Sequence, residues 1–135
     1  MLGLPQNWQG NCSLPSMGYD NEIARMTLAT GDLATFYRPE KAAYVGDVDL
    51  HWDAGRMLFT MPGEHGRWHI WEIGVDGAGL RQVTPGAYRD VDNYDACYLP
   101  DDRIIFGSTG CFQGIPCVTG SDSVANLPLL DPETG

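Results

Sequence analysis

Three residues in the first half of the chain combine carboxylate and imidazole groups at alternate positions. Asp47, Asp49 and His51 are each separated by one residue, and alternate residues of a β-strand point to the same face of a sheet. Two carboxylates and one imidazole form an oxygen and nitrogen donor set that suits zinc, manganese or iron. The same side chains also cap turns and accept hydrogen bonds from backbone N–H groups, so a divalent metal site and a structural role both stay open.

Acidic residues recur in the corresponding part of the second half of the chain, at Asp90, Asp92 and Asp95. Recurrence at one position of a repeated pattern favours a structural role, such as hydrogen bonding between neighbouring sheets. The alternative is a negatively charged rim, which would attract a cation or a basic partner.

The cysteines allow a disulfide but do not require one. The chain contains four of them, Cys12, Cys97, Cys111 and Cys117. Cys111 and Cys117 bracket a short loop that a disulfide could close, a pattern that suits an exported protein. Buried or free thiols are the alternative, and Cys97 lies in a strand pattern where we expect a small buried group.

The same loop carries the best candidate contact residues for a partner. Residues 111–120 have no counterpart in the first half of the chain, and loops both tolerate insertions and carry function. We therefore predict an interaction loop that includes Phe112, Gln113 and Ile115.

The elements that would position these groups are β-hairpins that recur along the chain. Residues 68–84 alternate apolar and polar side chains on both sides of an Asp-Gly turn, which predicts a hairpin. A shift of 47 residues places residues 22–37 on residues 69–84 without a gap, and the same shift places 56–59 on 103–106. Residues 127–135 match the start of the first hairpin again.

A period in the forties with about four short strands per unit is typical of β-propeller blades. The predicted fold is all-β, with about two and a half four-stranded antiparallel blades of a propeller. Residues 1–20 form an N-terminal loop or edge segment, and residues 21–135 form a partial propeller. Its units span about 21–67, 68–123 and, incompletely, 124–135. Because the third unit stops inside a hairpin, we expect a fragment of a larger propeller.

Several large side chains are predicted to pack between blades. Within 46–52, a predicted strand, alternate positions form an apolar face of Val48, Leu50 and Trp52. Trp68, Trp71 and Phe59 are assigned to packing as well, with an aromatic ligand platform as the alternative. His65 and His69 lie across a glycine-containing loop, so we expect exposed or turn-bound imidazoles rather than a metal pair.

Composition excludes two classes of partner and leaves catalysis open. With 18 acidic and 8 basic residues the net charge is −10, which argues against nucleic acid because phosphate neutralisation needs clustered cations. No run of 18 apolar residues predicts a membrane span. No serine lies in a Gly-x-Ser-x-Gly sequence, and no catalytic residue is predicted.

Residues 99–108, Leu-Pro-Asp-Asp-Arg-Ile-Ile-Phe-Gly-Ser, resemble the "S-P-D-G-x-x-I-x-F-x-S" core of TolB-type β-propeller repeats. Ile70-Trp71 and the stretch from Asp76-Gly77 to Thr84 resemble other parts of that repeat. Asp102 departs from the pattern, since glycine is usual there. The resemblance covers about 115 residues, from residue 21 onward, and implies a fold rather than a function.

A narrower resemblance rests on residues 18–23, 47–52, 94–101 and 111–117. These segments are similar to the propeller part of hydrazine synthase alpha-subunit-like proteins, which are large exported proteins, some with c-type haems. The resemblance implies a periplasmic or extracellular location. This chain contains no Cys-x-x-Cys-His, so haem would be attached only in parts of the protein outside it.

Two functions follow as expectations. The first is a non-catalytic propeller scaffold, or a protein or ligand interaction segment, of a larger exported protein. The alternative is the propeller part of a hydrazine-synthase-like multi-haem redox enzyme whose haems lie outside this chain. No cofactor is expected within the chain except a divalent metal. The expected partners are the rest of the propeller or other subunits, and exposed blade edges could also self-associate.

Overall fold

The computed structural model describes residues 17–114 and 123–134, which form nine β-strands and no α-helix. No helix in this part of the chain has the length and apolar character needed to cross a membrane. The strands are β1 (Ile23–Met26), β2 (Leu33–Tyr37), β3 (Gly46–Leu50), β4 (Arg56–Pro62), β5 (Trp68–Gly74), β6 (Arg81–Gln82), β7 (Asn93–Tyr98), β8 (Ile104–Ser108) and β9 (Leu129–Leu130).

The strands form three antiparallel sheets that follow one another along the chain. Sheet A contains β1 and β2, sheet B has the order β3-β4-β5-β6, and sheet C has the order β7-β8-β9. Each strand pairs with its neighbour in sequence, so the connections within a sheet are hairpins or longer loops without crossovers. The predicted all-β class with antiparallel sheets is confirmed.

Both predicted hairpins form, and glycine is required at their turns. In the second hairpin Trp71 pairs with Gln82, and Gly77 in the turn has a φ of +85°. In the first hairpin Ala24 pairs with Thr35, and Gly31 has a φ of +75°. Because a Cβ atom disfavours this left-handed region, glycine lets the chain reverse at low cost.

The sheets are offset from the predicted repeat units. Sheet B takes β3 and β4 from the unit predicted at 21–67, and β5 and β6 from the unit predicted at 68–123. Sheet A holds the strands that correspond to β5 and β6 under the shift of 47 residues. A sequence repeat does not determine where a sheet begins, because that depends on which neighbouring strands pair.

The two central strands of sheet B, β4 and β5, are buried on both faces. On one face Leu58 and Ile70 are fully buried against Ala96 and Tyr98 of β7 and Ile104 of β8. These residues form the core between sheets B and C, which Phe106 and Leu130 complete.

The opposite face of sheet B packs on sheet A. Phe59 and Ile73 lie here with Val45 and Met61, and Ile23, Phe36 and Tyr37 pack against them from sheet A. Phe59 is fully buried and Trp68 is 4% exposed, so the packing roles predicted for these two residues are confirmed.

The packing role predicted for Trp52 is wrong, because the apolar face of β3 on which it lies is exposed. Val48 is 50% exposed, Leu50 53% and Trp52 71%. The opposite side of β3 faces sheet C, where Asp49 and His51 contact β7. Among the described residues sheet A has only two strands. These pack on the core around Phe59 and leave the apolar side of β3 in solvent.

Candidate functional site

The three predicted metal ligands each have a separate partner. The hydroxyl of Tyr44 donates to Asp47 Oδ1 at 3.3 Å, and the backbone N–H of Tyr98 donates to Asp49 Oδ2 at 2.9 Å. His51 instead lies beside Asp102, with 2.7 Å between Nε2 and Oδ1. Within 17–114 and 123–134, no three His, Cys, Asp or Glu side chains form a group that could hold a metal ion. A divalent metal on Asp47, Asp49 and His51 stays a prediction.

Asp47 lies in a partly buried, negatively charged environment. Burial raises the pKa of Asp47 above its ordinary value, and the nearby charge of Asp95 acts in the same direction against the hydrogen bond from Thr60. Its backbone has a φ of +54°, which tilts the start of β3 away from the regular strand geometry.

His51 joins sheet B to the turn after β7. Its Nδ1 lies 2.7 Å from Asp53 Oδ1 and its Nε2 lies 2.7 Å from Asp102 Oδ1. The imidazole stands perpendicular to the Tyr98 ring, with 4.7 Å between centroids. Burial alone would lower its pKa, but the hydrogen bonds to Asp102 and Asp53 outweigh burial, so the pKa of His51 is raised. Arg56 Nη2 lies 3.0 Å from the same Nε2, and its positive charge opposes protonation, but the bonds to the two carboxylates outweigh it.

A buried carboxylate, which sequence reasoning did not single out, lies at the centre of the same interface. Glu72 is 8% exposed and accepts a hydrogen bond from the Tyr98 hydroxyl at 2.7 Å. Arg81 Nη2 lies 2.7 Å from Glu72 Oε2, and Arg56 Nε lies 3.4 Å from Oε1. Burial and the bond to Glu72 both raise the pKa of Tyr98. The buried carboxylate of Glu72 therefore has hydrogen-bond and charged partners, and it links sheet B to sheet C.

A cavity of about 350 Å³ adjoins Glu72 and its arginine partners. Its lining contains five carboxylates and three guanidinium groups, so negative charge is in excess and the cavity favours a cation over an anion. The lining residues are Arg56, Glu72, Arg81, Asp101, Asp102, Arg103, Asp131, Pro132 and Glu133.

Asp92 has the structural role predicted for the recurring acidic residues. It is 6% exposed, and its Oδ1 accepts the backbone N–H of Trp68 at 3.1 Å. Its Oδ2 lies 3.2 Å from Arg67 Nη1, and its own backbone exchanges hydrogen bonds with Thr109. Asp92 thus connects the loop before β5, the strand β7 and the end of β8.

The structure corrects the burial expected for two side chains. Of the two states expected for His69, exposed or turn-bound, the exposed one is wrong: His69 is 1% exposed, with Nδ1 3.0 Å from Thr84 Oγ1, and burial lowers its pKa. His65 is exposed, as expected. Cys97 is exposed rather than buried, because its side of β7 has no neighbouring sheet among the described residues.

The predicted interaction loop presents an aromatic side chain to solvent. Phe112 is 61% exposed and Tyr88 is 60% exposed, with 6.3 Å between the ring centroids. The exposed Gln113 follows Phe112, and its carbonyl accepts the N–H of Val124 at 2.7 Å. We call Tyr88, Phe112 and Gln113 the aromatic loop surface. Ile115 lies outside the described residues.

The disulfide predicted between Cys111 and Cys117 involves a residue outside the described part of the chain, Cys117. Cys111 is half-buried, and its thiol donates to the carbonyl of Val124 at 3.1 Å. The pairing of these two cysteines stays a prediction.

A groove of about 730 Å³ runs between sheets A and B. Trp71 lies in its wall with its indole N–H donating to the carbonyl of Met61 at 3.1 Å. Leu80 adds a partly exposed apolar side chain, and Arg38 and Lys41 add positive charge. Trp71 is only half-buried, so both roles weighed for it, packing and an aromatic platform, have a place in this groove.

No protein-family model matches this chain, and no curated protein matches it.

Proposed function

We propose that this chain is part of a β-propeller whose role is to hold a protein partner on its loops, without catalysis. Sheet B supports this proposal because it has the four-stranded antiparallel order of a blade and packs through both faces on neighbouring sheets. Blades of a propeller pack face to face in this way. Export to the periplasm or the cell exterior belongs to the same proposal and rests on the resemblance alone.

The observation that carries the interaction role is the aromatic loop surface. Large aromatic side chains are enriched at protein interfaces and often dominate the binding energy. Phe112 also has a φ of +52°, which is rare for a bulky residue and costs free energy of order 1–3 kcal/mol. A strained backbone that holds an aromatic side chain in solvent favours a contact role over an accidental exposure.

Backbone hydrogen bonds also anchor this loop to buried residues. The N–H of Phe112 donates to the carbonyl of Thr109 at 3.0 Å, and Thr109 is 3% exposed and bonded to Asp92. Gly114 forms a bridge with Ser123. Pre-organised loops lose less conformational entropy on binding.

A photo-crosslinking amino acid at position 112 tests this function. In an extract of the source cells, we expect the protein with the cross-linker at position 112 to form a covalent product with one discrete protein. Adding Tyr88→Ala to the same labelled protein should remove most of that product. A matched variant labelled at Leu28, which is 88% exposed on the opposite hairpin, serves as the control. Equal labelling patterns at the two positions would contradict the proposal.

A separate measurement tests the metal prediction. Metal analysis after mild purification should show stoichiometric divalent metal in the wild type and its loss in His51→Ala. Wild-type protein without metal would contradict a site on Asp47, Asp49 and His51.

A further inference from the structure

Strands β3 and β7 are structurally equivalent, which indicates what would cover the exposed side of β3. Asp47 and Asp95 both have a φ of +54°, and Ala54 and Asp102 have φ values of +56° and +67°. Both pairs are 48 residues apart. The register of each strand also shifts at the same place, after Gly46 in β3 and after Tyr94 in β7.

The equivalent side of β7 is buried. Under this correspondence Val48 matches Ala96 and Leu50 matches Tyr98. Ala96 is 5% and Tyr98 is 4% exposed, because both pack on sheet B, whereas Val48 and Leu50 are about half exposed. The surface that fits over Val48, Leu50 and Trp52 is therefore a sheet built like sheet B.

The neighbouring sheet lacks the strands that would do this. The shift of 47 residues relates β1 to β5. In sheet B, β4 pairs with β5 and β3 lies beyond β4, whereas β1 pairs only with β2 in the described part of the chain. One edge of β1 has no partner strand within residues 17–114 and 123–134, and together with the apolar side of β3 it forms a socket for a two-stranded hairpin. We call this surface, formed by β1 with Val48, Leu50 and Trp52, the hairpin socket.

The chain carries a hairpin of the required type in sheet C. Strands β7 and β8 correspond to β3 and β4. Within its own chain β8 pairs with the two-residue β9 and, through a bridge between Ser108 and Asn126, with the segment before it. On the outer side of this hairpin Cys97 is exposed and Ile105 is half-buried. These positions match Asp49 and Leu58, which face sheet C from sheet B.

We infer that the hairpin socket binds the β7–β8 hairpin of a second copy of this chain. In that contact β1 displaces residues 126–130 of the second copy from its β8, a segment whose sequence repeats the start of the first hairpin. Backbone hydrogen bonds then form along the edge of β1 that has no partner strand among the described residues. Each copy carries both the socket and the hairpin, and these are different surfaces. Repeated contacts therefore either close into a dimer or small ring or continue as an open chain of copies. The inference rests on the blade architecture of the proposed function and names a partner for it.

The equivalences locate one cross-link across this contact. Within the chain, the Tyr98 N–H donates to Asp49 Oδ2 at 2.9 Å. Leu50 corresponds to Tyr98, and Cys97 of the second copy corresponds to Asp49. A Leu50→Cys variant should therefore form a disulfide with Cys97 of a second copy under a mild oxidant such as diamide.

The test uses the full chain with serine at the other three cysteines, Cys12, Cys111 and Cys117. We expect Leu50→Cys to give covalent dimers or larger species on a non-reducing gel. Adding Cys97→Ala to the Leu50→Cys variant should abolish these covalent species. Leu28→Cys, on an exposed turn outside the socket, should give only the background product. Equal product from Leu50→Cys and Leu28→Cys would overturn the inference.

Sedimentation velocity provides a second test that does not depend on cross-linking. Leu50→Asp replaces an exposed side chain, so the fold should be retained, as circular dichroism can confirm, while the association of the wild type is lost. A wild type that is monomeric at every concentration would overturn the inference. If a monomeric protein still gave the discrete cross-link from position 112, the proposed interaction function would stand. If that cross-link were absent while the wild type associated, the interaction function would fail and the association of copies would stand.

Discussion

Replacing Asp92 by alanine tests whether the contacts between loops and sheets stabilise the fold as the structure indicates. The substitution removes the acceptor for the buried Trp68 N–H and the ion pair with Arg67. A hydrogen bond to a charged group contributes about 1.5–3 kcal/mol. The Arg67 side chain is 40% exposed, so its ion pair adds only about 0–1 kcal/mol. We expect Asp92→Ala to lower the free energy of unfolding by about 2–4 kcal/mol.

Urea unfolding followed by tryptophan fluorescence measures this loss. With a slope of about 2 kcal/mol/M, the midpoint should fall by about 1–2 M. Protein concentration must be held constant, because association of copies would add to the apparent stability. Asp92→Asn should fall between the wild type and Asp92→Ala, since its amide oxygen can still accept the Trp68 N–H.

Asp90→Ala is the matched control, because Asp90 is an exposed aspartate two residues away in the same connecting segment. Exposed substitutions of this kind usually change stability by less than about 0.5 kcal/mol. Equal midpoints for Asp92→Ala and Asp90→Ala would refute the assignment of Asp92 as a structural link between β5, β7 and β8.

Three further predictions concern the core, the pH dependence and a turn. Phe59→Ala removes a fully buried side chain and should cost about 3–5 kcal/mol in urea unfolding; a cost as small as that of Leu28→Ala would contradict the described core. The raised pKa of His51 means that its contribution is fully present below the unfolded value of about 6.5 and is lost as pH rises through the folded value. The stability difference between wild type and His51→Gln should therefore shrink from about pH 6 to pH 9, and a constant difference would argue against the Asp102 contact. Gly77→Ala forces a Cβ into a φ of +85° and should lower thermal stability by about 1–2 kcal/mol, unlike Ala78→Ser in the same turn.

The sequence alone determined the strands and their order. Alternation around an Asp-Gly turn identified the second hairpin, because side-chain direction in a strand repeats every two residues and tight turns favour glycine. The first hairpin, which has no Asp-Gly turn, followed from its match to the second. The internal shift of 47 residues identified the repeated pattern, and the recurring acidic residues pointed to the role that Asp92 has.

Tertiary structure decided which face of each strand is buried. Period-two alternation separates two faces but does not say which one meets another sheet, and in sheet B both faces do. The sequence placed Val48, Leu50 and Trp52 on one apolar face and suggested that Trp52 packs between blades, whereas the structure buries His51 and exposes Trp52. Glu72 was overlooked for the same reason: its side chain faces sheet C, where it bonds to Tyr98, and it pairs with Arg81 of β6 in its own sheet. Burial of a strand face depends on contacts between residues distant in sequence, and local patterns carry no information about those contacts.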